Sequence, residues 1–331
     1  MSAKRMNGAE SLVRTLIDGG IEVCFTNPGT SEMHFCAALD RVSGLRCVLG
    51  LFEGVVTGAA DGYGRMRDFP AATLLHTGPG LGNGLANLHN ARKALTPVVN
   101  IVGEHATYHI RHDAPLTSDI EGIASPVSDW VKTSRTADEV AQDGARAVAE
   151  ARKTPGRIAT LILPADTAWN EASSGAAVPT VPNPETVSSN ALDECARVLS
   201  TGEPVMLLLG NKGLRSKALE WAGRIAKKTG AVLHSESSAA RTERGAGRVG
   251  VTRIPYVVDQ ALQMTRPFKH LILAGAKAPV AFFAYPGKPS HLMPEECKIH
   301  QLVGPEHNIE DGLRQLAEAV GGLNSEADLQ E

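Results

Sequence analysis

The strongest constraint on this chain is a pattern repeated three times near its start. A short β-type apolar run breaks on a special turn and passes at once into a helical segment. IEVCFTN breaks at Asn27, Pro28 and Gly29 into the helix start Thr30, Ser31, Glu32. LRCVLGLF, read as a buried strand, leads through Glu53 into the glycine-punctuated helix VVTGAADGYGR. AATLLH ends at His76 and meets Gly78, Pro79, Gly80, Gly82, Asn83 and Gly84 before a further helix. Strands alternating with helices imply an open parallel sheet, whose strand-end turns gather at the one edge where ligands bind.

Glu53 is the most informative residue at that edge, a lone carboxylate in the apolar run Leu51, Phe52, Glu53, Gly54, Val55, Val56. Burial favours the protonated form of a carboxyl, which suits a proton relay. A plain helix-start acid, favoured by the helix dipole, explains the same residue equally well in isolation. The neighbouring turns decide between them.

NPGTSE, the glutamate of GLFEGVVTGAADGYGR, and LLHTGPGLGNGLANL stand in the order and roughly the spacing of the pyrimidine-binding domain of thiamine diphosphate enzymes. The chain resembles acetolactate synthase large subunits and their relatives, and is also similar to benzoylformate decarboxylase. The resemblance covers most of residues 4 to 170 specifically and about the next 150 loosely. It implies that Glu53 hydrogen-bonds a nitrogen of the cofactor's aminopyrimidine and drives it to the imino tautomer, which deprotonates carbon 2 of the thiazolium. The resulting ylid attacks a 2-keto acid and carbon dioxide leaves; the cofactor carries the chemistry and the protein sets geometry and proton positions.

By the same resemblance His76 matches an active-site histidine of benzoylformate decarboxylase that acts as acid and base, a task suited to imidazole. Acetolactate synthases usually lack it, so His76 draws the reading toward a decarboxylase or another carboligase. A strand-end histidine satisfied by backbone carbonyls is the plainer alternative. Thr30 matches a substrate-facing hydroxyl and could equally cap a helix. Pro28, Gly29, Thr30, Gly78, Pro79, Gly80 and Asn83 are the expected cofactor contacts beside Glu53, with Thr30, His76, His112 and Asp113 facing substrate.

Two other motifs carry less weight. GPGLGNG does not follow G-x-G-x-x-G, so NAD binding by a Rossmann-like nucleotide-binding protein is the least favoured reading. In EHATYHIRHD, His105, His109 and His112 would share one face only if the segment were helical, and no metal is assigned to them.

Composition fits a two-domain protein: 331 residues, 43% hydrophobic, net charge -3. No basic run or membrane-length apolar stretch occurs, which excludes nucleic acid and membrane partners and makes the cytoplasm the expected compartment. The five dispersed cysteines, without C-x-x-C, are expected to be reduced thiols. The fold class is therefore α/β, with two doubly wound parallel-sheet domains. Residues 1–172 form the pyrimidine-binding domain and 173–189, rich in Ser, Ala and Pro, a linker. A central α/β domain, with strands PVMLLLG, AVLHSES, HLILAG and KIHQLV, spans 190–322, and 323–331 is a polar, frayed tail.

In some acetolactate synthases the central domain contacts FAD, but only LLLGNKG and LILAGAKAP hint at a fingerprint here, so FAD is doubtful. The family anchors the cofactor's diphosphate through Mg²⁺ at a Gly-Asp-Gly motif in a third domain. No Gly-Asp-Gly occurs in the chain; Asp61-Gly62 and Asp311-Gly312 lack the first glycine. The expectation is thus a thiamine diphosphate-dependent 2-keto acid decarboxylase or carboligase, acetolactate synthase-like and inactive alone. This chain supplies the pyrimidine half and works as a homo-oligomer or with a chain carrying the diphosphate-binding domain. The alternative is a catalytically inactive structural or regulatory partner of a full-length subunit.

Overall fold

The computed structural model describes residues 6–331, which divide into two compact units meeting in sequence at Pro182 and Asn183, inside the expected linker. The first unit alternates strands and helices: β1 (Met6–Asn7), α1 (Gly8–Asp18), β2 (Val23–Asn27), α2 (Met33–Arg41), β3 (Arg46–Leu49), α3 (Glu53–Arg67), β4 (Ala71–Leu75), α4 (Thr77–Lys93), β5 (Val98–Glu104), α5 (Ile120–Ala124), β6 (Trp130–Thr133), α6 (Ala137–Arg152), β7 (Ile158–Pro164), α7 (Ala165–Trp169) and β8 (Glu171–Ala172). Its six-stranded sheet is parallel throughout, in the order β3-β2-β4-β5-β7-β6.

The central strands β4, β5 and β7 are buried along their whole length, which is why they read as unbroken apolar runs. β3 is different. It was expected as a buried strand, but it is the sheet's edge, paired only with β2, and Leu49 and Leu51 are 65% and 91% exposed. An apolar run reports a taste for burial and cannot report whether a second neighbour exists.

The connection after β2 runs to one side of the sheet and the connection after β4 to the other. Their carboxyl ends therefore flank a topological switch point, the place where open α/β sheets bind ligands. Close packing of α3 on α4 then sets what stands there. A Cβ at Gly84 would lie 2.9 Å from Thr57 Cγ2, and one at Gly58 3.0 Å from Asn87 Nδ2, so small residues let the two helices touch along their backbones. Thr57 Oγ1 donates to Gly84 O at 3.0 Å and Asn87 Nδ2 to Gly54 O at 2.7 Å, locking the register.

The second unit contains α8 (Ser189–Leu199), β9 (Val205–Leu209), α9 (Ser216–Thr229), β10 (Val232–Ser235), β11 (Thr252–Arg253), α10 (Val258–Thr265), β12 (His270–Ala274), β13 (Lys298–Val303) and α11 (Ile309–Ala319). Its sheet is also parallel, ordered β11-β10-β9-β12-β13, with the fully buried β9 and β12 at the centre. The expected frayed tail is instead tied down within this unit. Gly247 N donates to Gln330 O at 2.9 Å, Gln330 N to Arg248 O at 2.8 Å, and Ala327 packs on the core. Backbone pairing of this kind needs no apolar side chains and leaves no periodic signal. Among the described residues no helix is long and apolar enough to cross a membrane.

Candidate functional site

Glu53 is the first residue of α3, at the positive end of the helix dipole, and is only 7% exposed. Its Oε2 accepts from Asn83 Nδ2 of α4 at 3.0 Å. Its Oε1 would lie 2.9 Å from a Cβ at Gly80, and His76 Cβ 3.4 Å from that same point. Gly80 is thus where the backbone of α4 packs closest to the carboxylate, and a side chain there would collide with it.

His76 caps α4 at the end of β4, and its ring lies on the backbone of the neighbouring turn, 2.3 Å from where a Gly29 Cβ would sit. Its Nδ1 is 2.8 Å from Glu32 Oε2. Glu32 is 2% exposed and also accepts from Gly29 N at 2.7 Å and from Ser31 Oγ at 2.9 Å. With Glu32 Oε2 as acceptor Nδ1 is the donor, and in the neutral imidazole Nε2 then carries the lone pair. Glu32 therefore orients the imidazole and fixes its tautomer, a role the sequence reading did not give it. The available signal was a glutamate three residues after Gly29 in NPGTSE, a helix-start acid by its spacing. Gly103 makes room for it: a Cβ there would stand 1.7 Å from Glu32 Oε1.

Thr77 was also missed. It has φ +48°, in the left-handed region that a β-branched residue avoids, and its buried Oγ1 has no partner. Strain of this kind gathers at functional sites. It is invisible in sequence because His-Thr-Gly looks like any strand-to-helix turn.

The structure thus brings Gly29, His76, Gly80, Asn83 and Glu53 into one cluster, with Pro28 in the turn before Gly29. Thr30 is exposed at the start of a 3₁₀ turn over Thr30–Glu32. Gly78 is buried, and a Cβ on it would lie 2.4 Å from Ser118; Pro79 is exposed. His112 and Asp113 lie exposed on the loop after β5, and no hydrogen bond joins them to Glu53 or His76. That loop is a 3₁₀ turn rather than an α-helix. His105, His109 and His112 follow one another ring to ring, with centroids 5.8 and 5.6 Å apart. At the root of the loop burial holds the Glu104 carboxyl above its ordinary range, opposed by the His105 N–H that it accepts. The five cysteines are free, and burial pushes the Cys195 thiol up to about 12.

Chemically, the cluster offers a buried carboxylate with one oxygen held by Asn83 and an imidazole oriented by Glu32, both packed against glycine backbone. Residues 6–123 match the family model "Thiamine pyrophosphate enzyme, N-terminal TPP binding domain". A protein of Mycobacterium tuberculosis described as "Putative acetolactate synthase large subunit IlvX" is 51% identical over 315 residues, covering 95% of this chain and 60% of that protein. The chain thus spans about three fifths of that relative's length. Benzoylformate decarboxylase of Pseudomonas aeruginosa is 32% identical over 148 residues, 44% of this chain and 28% of that one. In fold, the thiamine diphosphate-dependent 4-hydroxybenzoylformate decarboxylase of Rhodococcus jostii RHA1 superposes with a TM-score of 0.81 at 22% identity, covering 98% of this chain and 64% of that one. Through these matches residues 6–123 resemble the N-terminal TPP binding domain of thiamine pyrophosphate enzymes, and the chain is similar in sequence to acetolactate synthase large subunits.

Proposed function

We propose that this chain supplies the pyrimidine-activating half of a thiamine diphosphate enzyme that decarboxylates or carboligates a 2-keto acid. The observation that carries the reading is Glu53, a buried carboxylate at the switch-point edge with Oε2 engaged by Asn83 and Oε1 against the side-chain-free backbone of Gly80. When bound, thiamine diphosphate supplies a carbon nucleophile and a place to hold the electrons released with carbon dioxide.

The chain's own residues then have separable tasks. Glu53 holds or releases a proton at Oε1, and its desolvated setting strengthens that hydrogen bond. Gly80, without a side chain, leaves Oε1 uncrowded, and Asn83 stops the carboxylate from rotating away. His76 exchanges a proton with substrate through Nε2, oriented by Glu32 through Nδ1. Pro28, Gly29, Thr30, Gly78 and Pro79 are the further cofactor contacts in this proposal, and Thr30, His112 and Asp113 its substrate-facing residues.

The charged end of the cofactor needs a cation and donors that these residues do not provide. With no Gly-Asp-Gly among the 331 residues, the Mg²⁺ and diphosphate site is assigned to a segment outside them, on this polypeptide or on a partner chain. The test is to assemble the chain with such a domain and follow carbon dioxide release from a 2-keto acid. Turnover by the assembly supports the reading. Cofactor bound by the assembly without turnover would instead favour a catalytically silent partner.

A further inference from the structure

The second unit has its own topological switch point, between β9 and β12, since the chain leaves β9 toward β10 and leaves β12 toward β13. β9 ends on Gly210-Asn211-Lys212-Gly213 and an acid, Glu236, follows β10 directly. In a dinucleotide fold these would be the phosphate turn and the ribose-binding carboxylate. The glycine there exists so that a ligand's phosphates can approach the backbone.

Here the approaching atoms belong to the chain. A Cβ at Gly210 would lie 2.6 Å from Gly275 O, 2.9 Å from Ala276 Cα and 2.7 Å from Glu236 Oε2. Gly275, at φ +68°, in turn has Gly210 O 2.8 Å and Ile309 Cδ1 2.4 Å from its own Cβ position. The two turns that should part to form a crevice are in backbone contact. Glu236 then spans from the end of β10 across the mouth of β9, and its Oε1 accepts from Lys277 N, beyond β12, at 3.0 Å. Gly210 N and Gly275 N are consumed by the sheet, donating to Ala274 O at 3.1 Å and Val303 O at 2.9 Å. Burial pushes the Glu236 carboxyl up and the Lys277 N–H draws it back. Beside the turn Asn211 Nδ2 is buried and without a partner.

We infer that the switch-point crevice of the second unit is filled by the chain itself, with Glu236 standing where a ligand's phosphates would sit. This unit accordingly takes neither the FAD found in some acetolactate synthases nor any other dinucleotide. The inference does not depend on the site built around Glu53.

The test uses the full chain and three additions, FAD, NAD and ADP, followed by FAD fluorescence anisotropy and by the thermal midpoint. No saturable signal and no midpoint shift are expected from any of them. Glu236→Ala leaves the Lys277 N–H without its acceptor and lowers the midpoint by about 2–4 °C. Glu236→Gln keeps an acceptor and stays within about 1 °C of the wild type, which serves if the alanine variant fails to fold. Saturable binding of FAD, NAD or ADP to the wild-type chain would overturn the inference, as would a Glu236→Ala midpoint equal to the wild type.

Discussion

Replacing Glu32 by glutamine preserves shape and removes charge, so it isolates what the carboxylate does for His76. In the native chain Oε2 accepts from both Gly29 N, at 2.7 Å, and His76 Nδ1, at 2.8 Å. Ser31 Oγ, at 2.9 Å from Oε1, can turn to accept from the new amide. The glutamine oxygen can hold the other two donors, but as a neutral acceptor. A hydrogen bond to a charged group contributes about 1.5–3 kcal/mol and a neutral one about 0.5–1.5 kcal/mol, so two such exchanges cost about 2 kcal/mol together. In a unit of this size that lowers the thermal midpoint by about 4–8 °C. Nitrogen-15 spectra of the imidazole provide the second readout, one that needs no turnover. The native chain is expected to carry the His76 proton on Nδ1, and Glu32→Gln to shift the population toward Nε2–H. A native spectrum with the proton on Nε2, or a variant indistinguishable in tautomer and midpoint, would refute the reasoning.

Three further outcomes are expected. Gly103→Ala would push its methyl onto Glu32 Oε1, 1.7 Å from the Cβ position, and should disturb the His76 tautomer in the same sense as Glu32→Gln while touching neither residue chemically; an unchanged imidazole spectrum would contradict this. Thr77→Gly removes a residue held at φ +48° and is expected to stabilise the chain by about 1 kcal/mol, read from denaturant midpoints, because glycine adopts that conformation freely; a loss of several kcal/mol would mean that Thr77 packing outweighs the strain. Glu104 has a folded-state pKa raised by burial, so the folded chain holds its proton more tightly than the unfolded one. Its contribution to stability is full below the unfolded pKa and is lost as pH rises through the folded value. Glu104→Gln should therefore raise the melting midpoint at neutral pH, by a margin that shrinks under acid; a margin that grew under acid would reverse the assignment.

The alternation of elements was legible because the central strands, buried on both faces, are written as continuous apolar runs such as VVNIV and IATLILP. Glycines at Gly29, Gly80 and Gly84 were legible as punctuation, and the structure gives the reason, since each marks a place where a ring, a carboxylate or a helix comes within van der Waals distance of backbone. Strand β6, Trp130–Thr133, was not read: it is four residues long, half-buried and at the sheet's edge, so it has neither length nor contrast. The exposure of β3 and the docking of the tail depend on which neighbours the topology supplies, and no local pattern encodes that. Glu32 and Thr77 were hidden for a different reason. The significance of Glu32 lies in contacts to His76 and Gly103, which come from segments distant in sequence, and that of Thr77 in a backbone angle that its residue type does not announce.

The central claim is that Glu53 activates the cofactor's pyrimidine. The most direct measurement is carbon dioxide release from a 2-keto acid by the chain assembled with a diphosphate-binding domain, Mg²⁺ and thiamine diphosphate, comparing wild type with Glu53→Gln. The account predicts turnover by the wild-type assembly and a loss of about a hundredfold or more in the variant, with an unchanged thermal midpoint confirming that the variant is folded. A Glu53→Gln assembly that turns over at the wild-type rate would contradict it.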